Sequence, residues 1–283
     1  MIIIKKARQL TDFLFKKRSE MARIGFVPTM GALHEGHITL IKRSIEVDEI
    51  TVCSIFVNPT QFNNPDDFEK YPVTIEEDIY MLESTGCSIL FLPGVNEIYP
   101  KGIQQLSNYD LGYLETVLEG EFRPGHFQGV CQVVDRLLYI VGPDILYLGQ
   151  KDYQQCLVIK HLLFLNGLNE KLRIEISPTI REPEGLAMSS RNKRLSKEAR
   201  LISSSISKTL LFIKDNCKEG NTGEILSQAA MKLELSGFKI DYLRIADAET
   251  LELKTEWDGK LKIVVLAAVY IEDIRLIDNM LIN

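Results

Sequence analysis

Short apolar runs alternate along the first 176 residues with stretches whose apolar positions return every three or four places. Residues 7–20 read as an amphipathic helix, with Lys16, Lys17 and Arg18 on a solvated basic face. Residues 24–27 form a short apolar run, as expected of a buried strand. The period then changes. Ile38, Ile41 and Ile45 recur at helical spacing with Leu40 beside them, so a helix starts near Gly36. The same reading gives strands at 50–57, 88–92, 145–148 and 172–176. Helices fall at 75–84 (closed by Gly86), at 127–140, and from Lys151 or Asp152 to 165.

Strands that alternate with helices imply a parallel sheet covered on both faces. After residue 177 the grammar shifts. A polar loop containing Gly and Pro covers 178–192. Helices follow at 197–213 and 223–235, and strands at 238–245 and 262–270. The expected fold class is therefore α/β, a Rossmann-like parallel sheet with helices on both faces, plus a smaller C-terminal α+β domain. The expected domains are 1–178 and 179–283. There is no internal repeat and no low-complexity tract.

Composition narrows the function classes. The 283 residues carry a net charge of −6 with a pI near 5.4, against the basic excess usual for general nucleic-acid binding. Cys53, Cys87, Cys131, Cys156 and Cys217 are odd in number, widely spaced and form no C-x-x-C pair, which fits free thiols in a reducing compartment. Lys5 and Lys6 interrupt the first apolar run at once, and no run is long enough to cross a bilayer. The expectation is a cytoplasmic protein with no nucleic-acid or membrane partner.

The chemistry concentrates first in residues 26–37, Phe-Val-Pro-Thr-Met-Gly-Ala-Leu-His-Glu-Gly-His. Three readings compete. Zinc helices space their histidines at i and i+4, whereas His34 and His37 stand at i and i+3, with Gly36 interrupting a helix start and no nearby third ligand. A plain loop with solvated or capping histidines is the second reading. The third is a phosphate site. A helix N-terminus offers unpaired N–H groups and partial positive charge, glycine admits a close approach, and histidine donates hydrogen bonds. The stretch resembles the His-x-Gly-His signature of the adenylyl-transferring superfamily that includes class I aminoacyl-tRNA synthetases and cytidylyltransferases. In its extended form it resembles the pantoate–β-alanine ligase family.

Four further stretches match that family in order. Phe56-Val-Asn-Pro-Thr-Gln-Phe62 resembles its pantoate-side loop, with Asn58 and Gln61 as amides able to donate and accept. Residues 119–130 supply Arg123, a fixed cation between glycines, and His126, which is left without a role. Tyr147-Leu-Gly-Gln-Lys-Asp-Tyr-Gln-Gln155 places Gly149 at a strand end and Lys151 and Asp152 at a helix start. A lysine is electrostatically unfavourable there unless an anion is nearby. Gly185-Leu-Ala-Met-Ser-Ser-Arg-Asn192 occupies the place of the superfamily's Lys-Met-Ser-Lys-Ser loop. Gln150 stands where many members carry Glu, and Leu148 where many carry Phe. His161 lies in mid-helix and reads as structural or surface.

The resemblance implies the roles. Pro28, Thr29, Met30, Asn58, Gln61, Arg123 and Gln155 would hold pantoate. Met30, His34, Gly36, His37, Gly149, Lys151 and Asp152 would contact ATP, as would Ile180, Met188, Ser189, Ser190 and Arg191. His34, His37, Lys151 and Arg191 would carry the catalysis by neutralising phosphate charge. Mg²⁺ would accompany ATP, with Asp78 as the candidate carboxylate beside it. The implied reaction is ATP-dependent condensation of pantoate with β-alanine to pantothenate through pantoyl adenylate. It releases AMP and pyrophosphate, serves pantothenate and coenzyme A biosynthesis, and is carried out by a homodimer. The rivals are a nucleotidyltransferase acting on a phosphorylated acceptor and a nucleotide-binding module without turnover. A tRNA synthetase is disfavoured by the short acidic chain.

Overall fold

Six strands lie in one wholly parallel sheet: β1 (Ile2–Ile4), β2 (Ile24–Thr29), β3 (Ile50–Ile55), β4 (Ile89–Phe91), β5 (Ile145–Gly149) and β6 (Arg173–Ser177). The structure is a computed structural model and describes residues 1–63, 65–103 and 106–283. Two units are distinguished, Met1–Gly149 with Val158–Ser177, and Gln150–Leu157 with Pro178–Asn283.

In the first unit the strand order is β1-β4-β3-β2-β5-β6. The helices around it are α1 (Ala7–Ser19), α2 (Glu35–Val47), α3 (Pro65–Glu69), α4 (Ile75–Thr85), α5 (Val95–Ile98), α6 (Glu119–Phe122) and α7 (His126–Val141). A further helix, α8 (Tyr153–Leu165), follows β5 in the chain. Val27, Cys53, Ile55, Leu90, Ile145 and Tyr147 share one core with Ile38 and Ile41 of α2 and Leu82 of α4. The alternate strand residues Phe26, Val52, Ile89, Phe91 and Leu146 are buried as well. On that side α7 packs on β2 and α1 packs on α7. Burial on both faces is why the strands read as continuous apolar runs rather than as alternation.

The order reverses between β2 and β5, which pair through Gly25↔Ile145 and Phe26↔Leu146. At such a switch point the loops leaving the carboxyl ends of the two strands diverge and open a crevice. The ends concerned are Thr29 and Gly149.

The second unit is α+β. Strands β8 (Lys239–Asp247), β10 (Ile263–Ile271) and β11 (Ile274–Leu281) form an antiparallel sheet in the order β11-β10-β8. Two short strands, β7 (Gly220–Asn221) and β9 (Glu256–Trp257), pair separately. Helix α9 (Lys197–Asn216) starts at Ser196, whose hydroxyl accepts from Ala199 N at 3.0 Å. Leu210 and Ile213 of α9 and Leu233 of α10 (Gly223–Leu235) pack on Leu243, Ile245, Val265, Ala267 and Leu276. β11 escapes the sequence reading for a physical reason. Its hairpin with β10 turns on Glu272 and Asp273, with Glu272 at φ 53°, so the usual Asn-Gly or Gly signal is missing.

Candidate active site

β2 delivers the chain to its turn through Thr29, whose hydroxyl donates to Ser54 O at 2.7 Å and accepts from Gly31 N at 3.2 Å. Gly31 sits at φ +79°, and a Cβ there would lie 3.0 Å from both Asp78 Oδ2 and the Ile55 side chain. Glycine is required at this place on both counts. Asp78, 1% exposed, accepts from Ala32 N at 2.9 Å, Leu33 N at 2.8 Å and the Thr74 hydroxyl at 3.2 Å. A buried carboxylate with its oxygens on main-chain amides is a clamp on the turn. Among the described residues no group of three or more His, Cys, Asp or Glu is arranged to hold a metal ion.

The turn feeds straight into α2, with His34 as its N-cap. His37 N donates to His34 O at 2.8 Å, and His34 N donates to His37 Nδ1 at 3.4 Å. The two rings lie 4.0 Å apart between centroids, tilted by 35°. With Nδ1 accepting, the proton of a neutral His37 ring sits on Nε2, the atom that can donate to an anion. Gly36 lies in the first turn, where helical N–H groups lack intrahelical partners. Glu35 in that turn pairs with Lys42 Nζ at 3.1 Å.

Pro28 lies on β2 and Met30 just beyond it. Gln61 Nε2 donates to Met30 Sδ at 3.0 Å. Asn58 is buried and fully engaged. Its Nδ2 donates to Gln61 Oε1 at 3.3 Å and Gly129 O at 3.0 Å, and its Oδ1 accepts from Tyr99 OH at 2.8 Å. Asn58 thus orients Gln61, with both amide protons already used inside the protein. Gly129 on α7 presses on the same loop, since a Cβ there would meet Thr60 O at 2.3 Å. His126 Nδ1 bonds Gln61 O at 2.8 Å, and its Nε2 lies 3.2 Å from Arg123 Nη1. A carbonyl can only accept, so Nδ1 carries the proton and Nε2 accepts from the guanidinium. Arg123 Nη1 also lies 3.6 Å from Glu119 Oε2. Met30, Asn58, Gln61, Arg123 and His126 are therefore one linked set in the first unit, with Thr29 next to Met30 in the chain.

Gly149 ends β5. In the second unit, Gln150–Asp152 form a 3-10 turn. Lys151 Nζ lies 3.2 Å from Asp152 Oδ1. Gln155 follows, half-buried on α8. Asn279 Nδ2 donates to the carbonyls of Gln150 at 3.0 Å and Lys151 at 2.9 Å. Within the segment 178–192, expected as a polar loop, residues 180–188 fold back on themselves and a 3-10 helix follows. Ile180 O accepts from Met188 N at 2.9 Å, and Arg181 bridges Ala187. Ser189 caps the 3-10 helix Ser190–Arg194 by accepting from Arg191 N at 3.3 Å. Asn192 Nδ2 donates to Glu182 Oε1 at 2.8 Å, and Arg181 grips Asp278 with two bonds of 2.6 and 3.0 Å. Burial pushes the Asp278 carboxyl above its usual range, with Arg181 opposing the shift.

Sequence reasoning missed Asp278, Asn279, Arg181 and Glu182. The signal at Asp278 is legible afterwards. It shares strand parity with the core residues Ile274, Leu276 and Ile282, and a charge on an apolar face demands a partner.

A family model described as pantoate-beta-alanine ligase matches residues 2–281. The chain is 45% identical over 285 residues to the pantothenate synthetase of Cytophaga hutchinsonii, covering 100% of this chain and 99% of that one. It resembles the crystal structure of pantothenate synthetase from Thermus thermophilus with a TM-score of 0.91 and 37% identity, over 100% and 99% of the two chains. The structure of a pantoate-beta-alanine ligase from Francisella tularensis, complexed with beta-gamma ATP and beta-alanine, matches with a TM-score of 0.82 and 37% identity, over 100% and 98%.

Proposed function

The chain belongs to the pantoate–β-alanine ligase family, and from that premise we infer how its residues perform the reaction. The protein condenses pantoate with β-alanine, consuming ATP. The pantoate carboxylate attacks the α-phosphorus, an O–P bond forms, and pyrophosphate leaves with the broken phosphoanhydride. The neutral amine of β-alanine then attacks the acyl carbon. A C–N bond forms, the C–O bond to AMP breaks, and the surplus amine proton passes to solvent.

A carboxylate with a reference pKa of about 4 is already ionised at neutral pH, so the first step needs little base catalysis. Its difficulty is the approach of two anions, which calls for positioning and charge neutralisation. The observation that carries this reading is the His34–His37 turn, fixed by Asp78 at the start of α2 and beside the sheet's switch point. We assign phosphate contact to His34, His37 and the amides around Gly36, with Met30 beside them. In the second unit Lys151, Asp152, Met188, Ser189, Ser190 and Arg191 serve the nucleotide and the departing pyrophosphate, with Ile180 main chain at adenine. Gln61, Arg123, Gln155, Thr29 and Pro28 address pantoate, and Asn58 holds Gln61 in place. The relative crystallised with beta-gamma ATP and beta-alanine supports the substrate set.

Mg²⁺ is proposed as ATP's companion, arriving with the substrate. We assign Asp78 to holding the turn rather than to the metal, because it is 1% exposed and both its oxygens accept main-chain N–H groups. The homodimer is carried over from the family resemblance. A cytoplasmic setting without nucleic-acid or membrane partners is supported by five free cysteines and the acidic chain. No helix among the described residues is long and apolar enough to cross a membrane.

Purified protein supplied with ATP, Mg²⁺ and pantoate should release AMP only when β-alanine is added, with pantothenate found by mass spectrometry. His37→Ala and Lys151→Ala should each lower kcat/KM by about 100-fold or more, the scale of losing one preorganised donor. A nucleotidyl conjugate in place of free AMP would overturn the ligase reading.

A further inference from the structure

β11 carries two polar residues side by side, and consecutive strand residues face opposite ways. Asp278 lies on the parity of Leu276 and Ile282, the face packed into the second unit's core. There it receives the two bonds from Arg181, whose Nη1 also donates to Gly185 O at 3.1 Å. Asn279 lies on the other parity and takes the turn Gln150–Asp152. Its Nδ2 bonds the carbonyls of Gln150 and Lys151, and its Oδ1 receives Gln150 Nε2 at 3.2 Å. Asn279 is 3% exposed, and its own N–H donates to Asp278 Oδ1 at 2.8 Å.

We propose that Asn279 is a positioning residue for the adenylate-forming step, acting through the Gln150–Lys151 main chain to fix where the Lys151 ammonium stands. The inference rests on the assignment of Lys151 to phosphate. Its physical basis is the number of bonds involved. Lys151 reaches its ligand on a flexible four-carbon stem, so where the main chain holds the root of that stem sets the region the ammonium can occupy. A single planar amide that satisfies two consecutive carbonyls and is itself oriented by Gln150 fixes that main chain in a way one bond would not. The same strand holds Arg181, at the base of the 180–188 turn, through Asp278. The Lys151 main chain and Arg181, which opens the segment leading to Ser189-Ser190-Arg191, are therefore held by adjacent residues of one β-strand.

The test is a double-mutant cycle between Asn279→Asp and Lys151→Ala, read as single-turnover pyrophosphate formation from ATP and pantoate without β-alanine. Asn279→Asp keeps the shape and turns a donor into an acceptor facing two carbonyls. It should slow adenylate formation by about 10- to 100-fold, the scale of an ångström-sized misplacement. In the Lys151→Ala background the same change should cost less than about 2-fold, because residues acting through one another do not add. Losses that multiply would overturn the inference and leave the assignment of Lys151 standing. A Lys151→Ala protein of unchanged rate would overturn the assignment itself and the inference with it. Should Asn279→Asp fail to fold, Gln150→Leu enters the same cycle. It removes the bond that orients the Asn279 amide, with an expected loss of about 3- to 10-fold on the same scale and the same criterion of non-additivity.

Discussion

Asp78 shows how a residue's type can be read correctly and its work not. From the chain alone it is an acid on a predicted helix and the candidate carboxylate beside an ATP-bound Mg²⁺. In the structure it binds Ala32 and Leu33 amides that precede it by more than forty positions. Asn58 is a similar case. Its amide suits a hydroxy acid, yet its protons serve Gln61 and Gly129. That His34 and His37 stand at a helix start was legible because the strand end, the glycines and the first helical turn all lie close by in the chain. Asp78→Asn should lower stability by about 2 kcal/mol, the scale of hydrogen bonds to a charged group, and should depress kcat/KM by loosening the turn. Urea denaturation read beside steady-state kinetics checks both effects. Unchanged stability would show that the clamp contributes nothing.

At the scale of elements, helices such as α4 and α10 and the central strands follow from periodicity, since tertiary packing there agrees with the local pattern. β1 was too short to register beside Lys5 and Lys6, and β11 lacked a turn signal. The approach of α7 to the loop after β3 was not legible either, because a glycine in an amphipathic helix does not say what it faces. Gly129 faces Thr60 O. Gly129→Ala should push the 3-10 turn Pro59–Gln61 outward and raise KM for pantoate several-fold, while KM for ATP stays near its original value. Stability should fall by about 1–3 kcal/mol, as for overpacking. Equal increases in both KM values would mean that the loop is not dedicated to pantoate.

For the whole molecule, the broad α/β class was legible, as was the order of motifs along the chain, because both are written in local spacing. The pairing of distant segments was not, and neither was the grip of Asp278 and Asn279, since nothing local marks partners 97 and 129 positions away. The five cysteines give a readout at this scale. Cys53, Cys87, Cys131 and Cys156 are buried, and only Cys217 is partly exposed. Burial pushes Cys87 up to about 11 and Cys131 up to about 12, so neither is a nucleophile near neutrality. A thiol reagent at neutral pH should modify about one cysteine rapidly in the native protein and all five after denaturation. Rapid native modification of three or more would contradict this packing.

The switch point between β2 and β5 also has a history in time. Thr29 meets Ser54 across a separation of 25 positions, whereas Ile24 meets Asp144 across 120. Closing a longer chain segment costs more entropy, and distant pairings form late when nearer ones are available. The half-sheet around β2 and β3 can assemble while β5 is still searching. The crevice proposed to take phosphate should thus be among the last features to appear as the chain folds, and on refolding from urea far-ultraviolet circular dichroism should recover before AMP-forming activity does.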